Sequence, residues 1–136
     1  MTDTERAREF FKNDHFASDT TSIEIEYVSK NESVCTLKIE EKHLNAVGTV
    51  MGGAIFTLAD FAFAVAANFD NIHTVSLASS ISFLSIAKGS VLTAKAKCIK
   101  DGRSSCVFAV DIFDDLGTNV AYVTINGFRM NNPVSK

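Results

Sequence analysis

The sequence predicts an α+β domain in which an antiparallel sheet of five to six strands curls around one long central helix. Three observations carry this expectation. The stretch Ala54 to Ala67, AIFTLADFAFAVAA, holds no glycine or proline and is apolar on nearly every face, as a fully buried helix is. Segments in which apolar and polar residues alternate, as in half-buried strands, lie on both sides of it. Short turns at Lys88-Gly89, Asp101-Gly102 and Leu116-Gly117 join the last four of these segments, as in an antiparallel sheet. A flat sheet covers only one side of a helix. The sheet must therefore curl around it, or a second subunit must cover what remains.

The elements follow in the order αββαββββ. Residues 3–12 read as a short helix ending in Phe10 and Phe11. Thr20 to Ser29 alternates, with Ile23, Ile25 and Tyr27 expected on the inner face and Glu24 and Glu26 outside. After a turn at Asn31-Glu32, Ser33 to Glu40 places Cys35, Leu37 and Ile39 opposite Thr36, Lys38 and Glu40. A glycine-rich loop, Asn45 to Gly53, leads into the central helix, expected over about 53–68. Four strands are expected at Thr74–Ile86, Ser90–Lys100, Ser104–Phe113 and Asn119–Arg129. No internal repeat or second domain is evident, so residues 1–136 read as a single domain.

Composition narrows the function classes. The chain has 136 residues, 46% apolar and 21% charged, one proline and a net charge of −3. That is an ordinary globular balance with enough length for a self-supporting core. No basic patch points to nucleic acid. The polar N-terminus lacks the order of a signal peptide, and Ala54 to Ala67 is shorter than the roughly 20 residues a bilayer span requires. A cytoplasmic protein with no membrane partner is the expectation. The three cysteines, Cys35, Cys98 and Cys106, match no zinc spacing and read as buried thiols. No metal or other cofactor is expected.

Asp60 is the informative residue, a carboxylate set mid-helix among Leu58, Ala59, Phe61, Ala62 and Phe63. Burying it without a partner costs several kcal/mol, so it is either paired for structure or kept for chemistry. Gly52-Gly53 opens the same helix. The first amides of a helix lack intrahelical acceptors and sit at the positive end of its dipole. Glycine there lets a ligand approach the backbone, where an oxygen becoming negative would be stabilised. Asp60 lies roughly 11 Å further along the axis, at 1.5 Å per residue. That is too far for one chain to build a compact reaction centre from both. It fits a dimer in which the carboxylate of one subunit faces the glycine amides of the other.

The run His43-Leu44-Asn45-Ala46-Val47-Gly48-Thr49-Val50-Met51-Gly52-Gly53, followed by Leu58-Ala59-Asp60, resembles the PaaI-type hotdog thioesterases, which carry Asn-x-x-Gly-x-x-His-Gly-Gly and then a helical Asp. Ser80 to Gly89 and Gly102-Arg103 resemble later strand and turn segments of that family, so the likeness runs from about Ile23 to Arg129. It implies a hotdog fold, hydrolysis of acyl-CoA thioesters, and a homodimer that pairs into a tetramer. It implies that Gly52 and Gly53 polarise the thioester carbonyl and that Asp60 of the opposing subunit is general base or nucleophile. By the same resemblance Asn45 positions the water or thioester, and Ser76 assists the carboxylate. Met51 and Phe83 are expected at the substrate, with Lys88, Lys100 and Arg103 as candidates for the CoA phosphates. Phe56, Phe61, Phe63 and Leu84 would line or pack near an acyl tunnel.

One position departs from the pattern. The family's histidine is Met51 here, which cannot donate a hydrogen bond. Either the helix amides carry the polarisation alone, or the chain is a weakly active or non-catalytic acyl-CoA-binding module. His43 is two residues before Asn45 and is not expected to substitute; His15 and His73 read as solvated. A hotdog dehydratase would need a histidine paired with a carboxylate, and none is suitably placed.

Overall fold

The computed structural model describes residues 1–134 and has the expected architecture. Helix α1 (Asp3–Phe11) is followed by strands β1 (Ile23–Ser29) and β2 (Glu32–Lys38), helix α2 (Gly52–Asn68), and strands β3 (Ile72–Phe83), β4 (Val91–Asp101), β5 (Ser105–Asp114) and β6 (Asn119–Pro133). All six strands form one antiparallel sheet in the order β1-β2-β4-β5-β6-β3. The last two residues of the expected domain lie outside the described residues.

Period-two patterning explains the sheet's inner face. Cys35, Leu37, Leu92, Ala94, Phe108, Val110, Ile112, Val123 and Ile125 are all buried, and α2 lies against them with Leu58, Ala59, Ala62 and Ala66. The alanines leave room for close approach, and Phe63 meets Phe108 edge to face at 5.3 Å. α2 also carries the chain from β2 to the far edge of the sheet. β3 therefore pairs with β6 rather than with β2.

Several details correct the sequence reading. A bulge between Ile25 and Tyr27 shifts the alternation in β1, so Val28 turns inward and Tyr27 is left 49% exposed. Cys35 and Cys106 are buried free thiols, but Cys98 is only half-buried, beside a bulge in β4. Residues Phe16–Thr20 form a π-helical turn that periodicity did not signal. Most consequentially, α2 is not covered on every face. Gly53, Thr57, Asp60 and Ala64 form a stripe at helical spacing that the sheet leaves open, because its edges β1 and β3 do not meet.

The far end of α2 is tied down by Arg129, 4% exposed. Its guanidinium donates to Asp101 Oδ1 (2.8 Å), Thr74 Oγ1 (2.7 Å), Asn31 Oδ1 (3.0 Å) and the Ala67 carbonyl (3.2 Å). Asn68 adds a staple to β3, accepting from Thr74 N at 2.8 Å. The helix axis is thus held relative to the sheet at the end opposite Gly52.

Candidate active site

The loop before α2 is built around Asn45. Its side-chain Oδ1 accepts from Val47 N and Thr49 N (both 3.1 Å), and Nδ2 donates to Thr49 Oγ1 (2.9 Å). Gly48 completes the turn at φ +87°, a conformation that suits glycine. In this chain Asn45 therefore braces the loop, and most of its amide is spent on that task. His43 secures the loop's start. It is buried, its Nδ1 accepts from Glu40 N (3.0 Å), and Nε2 lies 2.7 Å from the Thr21 carbonyl. Its backbone carbonyl in turn accepts from Met51 N at 2.8 Å. The structural role of His43 depends on a contact with Thr21, which sequence spacing does not reveal.

Met51 caps α2 without a side-chain hydrogen bond and is 56% exposed. The amides of Ala54 and Ile55 turn back to its carbonyl. Those of Gly52 and Gly53 donate to no acceptor among the described residues. The two glycines serve differently. A β-carbon at Gly52 would come within 3.1 Å of the Phe83 ring, whereas one at Gly53 would meet nothing within 4 Å. Phe83 thus packs onto the helix start, and Gly53 leaves the approach clear. Beside them lies a groove of about 380 Å³, bounded by Thr49, Val50, Gly52, Phe83, Leu84 and Ile86.

Residues 84–87 wall this groove, and the turn that follows them is held by Asp114. Its carboxylate accepts from Lys88 N (2.8 Å), Gly89 N (2.9 Å), Leu116 N (3.0 Å) and Thr118 N (2.8 Å). Burial opposes its charge, but these N–H groups outweigh burial and hold the carboxyl well below the usual range.

Asp60 opens into a second groove, about 300 Å³, shared with Asp14, His15, Phe16, Thr57 and Ala64. No hydrogen bond reaches its carboxylate among the described residues. Burial, and after it the charge of Asp14, pushes its pKa above the ordinary carboxylate range. A more basic carboxylate is a better proton acceptor near neutral pH. Phe61, buried, forms part of the floor, while Phe63 belongs to the core.

The remaining expected residues are dispersed. Ser76 sits exposed on β3 opposite Gly127 and lines neither groove. Lys88 is exposed on the loop beside the Gly52 groove. Arg103 and Lys100 are exposed near the other end of α2, where Arg129 N bonds the Ser104 carbonyl and the Arg129 guanidinium bonds that of Ala67. One chain does not bring Lys88 and Arg103 to a common ligand. His15 is exposed and pairs with Asp19 at 2.8 Å, and His73 is also exposed.

Comparison with known proteins bears on this arrangement. Residues 47–121 match the sequence model of the Thioesterase superfamily. The acyl-coenzyme A thioesterase PaaI of Escherichia coli is 28% identical over 134 residues, 96% of this chain and 94% of its own length. A protein of Archaeoglobus fulgidus is 30% identical over 68% of this chain, which spans only 61% of that relative's length. Among solved structures, the E. coli PaaI protein superposes with a TM-score of 0.89 at 24% identity, covering 98% of this chain and 97% of its own. A hypothetical thioesterase protein of Streptococcus pneumoniae, solved with coenzyme A, has a TM-score of 0.79 at 32% identity, covering 91% and 99%. Two further structures of that pneumococcal protein carry alanine in place of an aspartate and of a threonine sixteen residues later, the same interval that separates Asp60 from Ser76.

Proposed function

Because this chain belongs to the Thioesterase superfamily, in its PaaI-type hotdog branch, we propose that it hydrolyses acyl-CoA thioesters to a free acid and CoA. The observation that carries the proposal is the pairing of two incomplete half-sites on α2. The free amide of Gly52 lies at one groove with that of Gly53 open to solvent next to it, and the Asp60 carboxylate, its pKa raised by burial, faces another groove. Neither groove by itself holds both an electrophile-stabilising group and a base.

A dimer would join them. β3 is the open edge that favours it: twelve residues without proline, lysine, arginine or carboxylate, exposing Val75 and Leu77. Such an edge is a template for pairing with a second strand. With two copies joined, the thioester oxygen would take the Gly52 and Gly53 amides of one subunit, at the positive end of its helix. Asp60 of the other would remove a proton from water as its oxygen bonds to the acyl carbon. Collapse of the tetrahedral intermediate breaks the C–S bond, and the departing thiolate recovers the proton. Direct attack by Asp60 on the acyl carbon, followed by hydrolysis of the anhydride, uses the same geometry. Ser76, carried on the joining strand, would be brought toward the partner's carboxylate, and Lys88 and Arg103 of different subunits toward one CoA.

A second reading has one specific observation in its favour. Met51 stands at the helix cap with no donor to offer a carbonyl, which suits an acyl-CoA-binding module with little turnover. A thiol-release assay across short, medium, long and aromatic acyl-CoAs separates the two. Hydrolysis predicts turnover on at least one thioester, with Asp60→Asn and Asp60→Ala lowering kcat more than about a hundredfold while binding persists. Absence of turnover on every thioester, with tight binding, would establish the binding module instead.

A further inference from the structure

The Asp60 groove has a second wall that lies outside the region matched by the family model. It is the segment Asp14–Ala17. Phe16 stands out in it, an aromatic ring 65% exposed at the rim of a groove whose floor holds the candidate base.

The segment is firmly built. Ser18 Oγ donates to the Lys12 carbonyl (2.8 Å) and lies 3.1 Å from that of Asp14, while Thr21 N closes the π-helical turn onto the Phe16 carbonyl (2.9 Å). Ala17 is buried beneath it. Phe11, at the end of α1, meets Phe61 of α2 edge to face at 6.3 Å, so the segment's root is packed on the helix that carries Asp60. The backbone that carries Phe16 at the groove is therefore an ordered support. Single-turn π geometry is rare and is frequent at functional sites.

A thioester carbon attacked from Asp60 must sit within about 3 Å of the attacking or base-bound oxygen. The acyl group bonded to that carbon then starts in the groove that Asp60 shares with Phe16, about 300 Å³ within one chain. On the reading of Asp60 given above, we propose that Phe16 is a specificity-determining residue whose ring contacts the acyl group of the substrate. An acyl group long or bulky enough to reach this wall of the groove would meet the ring's face or edge, and a shorter one would not.

Exposure makes the test clean, since removing a ring that is 65% exposed leaves the core intact. Phe16→Ala and Phe16→Leu are compared with the wild type on acetyl-, hexanoyl-, palmitoyl- and phenylacetyl-CoA, with inhibition by free CoA and the mass in solution measured alongside. Expected is a loss in kcat/KM of about tenfold or more on the best substrate and less than about threefold on acetyl-CoA, as for an altered apolar pocket. Free CoA should bind unchanged. An equal effect on all four thioesters, a change in CoA inhibition alone, or a change in oligomeric mass would each overturn the assignment. Dissociation constants for the same thioesters separate it from the hydrolase reading. A wild type without turnover, but with binding preferences that depend on Phe16, would remove that reading and keep the acyl contact. Flat profiles in both measurements would overturn the acyl contact itself.

Discussion

Asp14 shares a groove with Asp60, and its charge is the second cause, after burial, of the raised pKa of the Asp60 carboxyl. The two acids belong to different elements, one in the turn after α1 and the other midway along α2.

This pairing sets an expectation for the pH–rate profile. Asp60 must be ionised to act as base, so kcat should climb as pH rises through its raised pKa. Asp14→Asn removes the opposing charge and should move that limb to lower pH, with the plateau kept within about tenfold. Steady-state kcat between about pH 4 and pH 8 checks it; an unmoved limb would separate Asp14 from the base. A carboxyl whose pKa rises on folding binds more protons folded than unfolded, so it costs stability as pH rises through that interval. Asp60→Asn should accordingly melt at or above the wild-type temperature at pH 7.

The helix-start glycines should part company under substitution. Gly53→Ala places a methyl group in open space, so it should stabilise α2 by up to about 1 kcal/mol while obstructing the free amides. Gly52→Ala must displace the Phe83 ring and should lower activity without raising Tm. Melting curves and kcat/KM on one acyl-CoA report both. Full activity in Gly53→Ala would mean that the substrate does not approach there.

Asp114 should shape acid stability. Its folded pKa is depressed, so the stability it contributes is present above the unfolded pKa of about 3.9 and is lost as pH falls below it. Asp114→Asn turns an amide NH2 against backbone donors and should lower Tm at pH 7. It should then lose less than the wild type on acidification. Parallel Tm curves from pH 7 to about pH 2 would contradict the clamp. A looser loop at residues 84–89 should also raise KM more than it lowers kcat, since the loop walls the groove beside Gly52.

Local pattern was enough to mark the principal elements. The apolar run at Ala54–Ala67, the alternating segments and the glycine turns specified the helix, the strands and their succession along the chain, because burial of one face imposes a period on sequence. The same locality exposed Asp60, since a carboxylate in an apolar helix is an anomaly that needs no structure to notice. Other features depend on residues distant in the chain. Tyr27 faces outward because a bulge shifts β1 against β2, and no residue type announces it. His43 is a brace because Thr21 lies over it, Arg129 because Asn31, Thr74 and Asp101 converge on it, and Asp14 a neighbour of Asp60 because α1 packs its Phe11 against Phe61. Sequence alone determined that one helix carries both a carboxylate among apolar residues, Asp60, and a pair of glycines at its start, Gly52-Gly53. Only the tertiary structure decided that Gly52 and Asp60 line separate grooves, because Phe83 and the loop after β3 pack beside the helix start while the Asp14–Ala17 turn packs beside its middle.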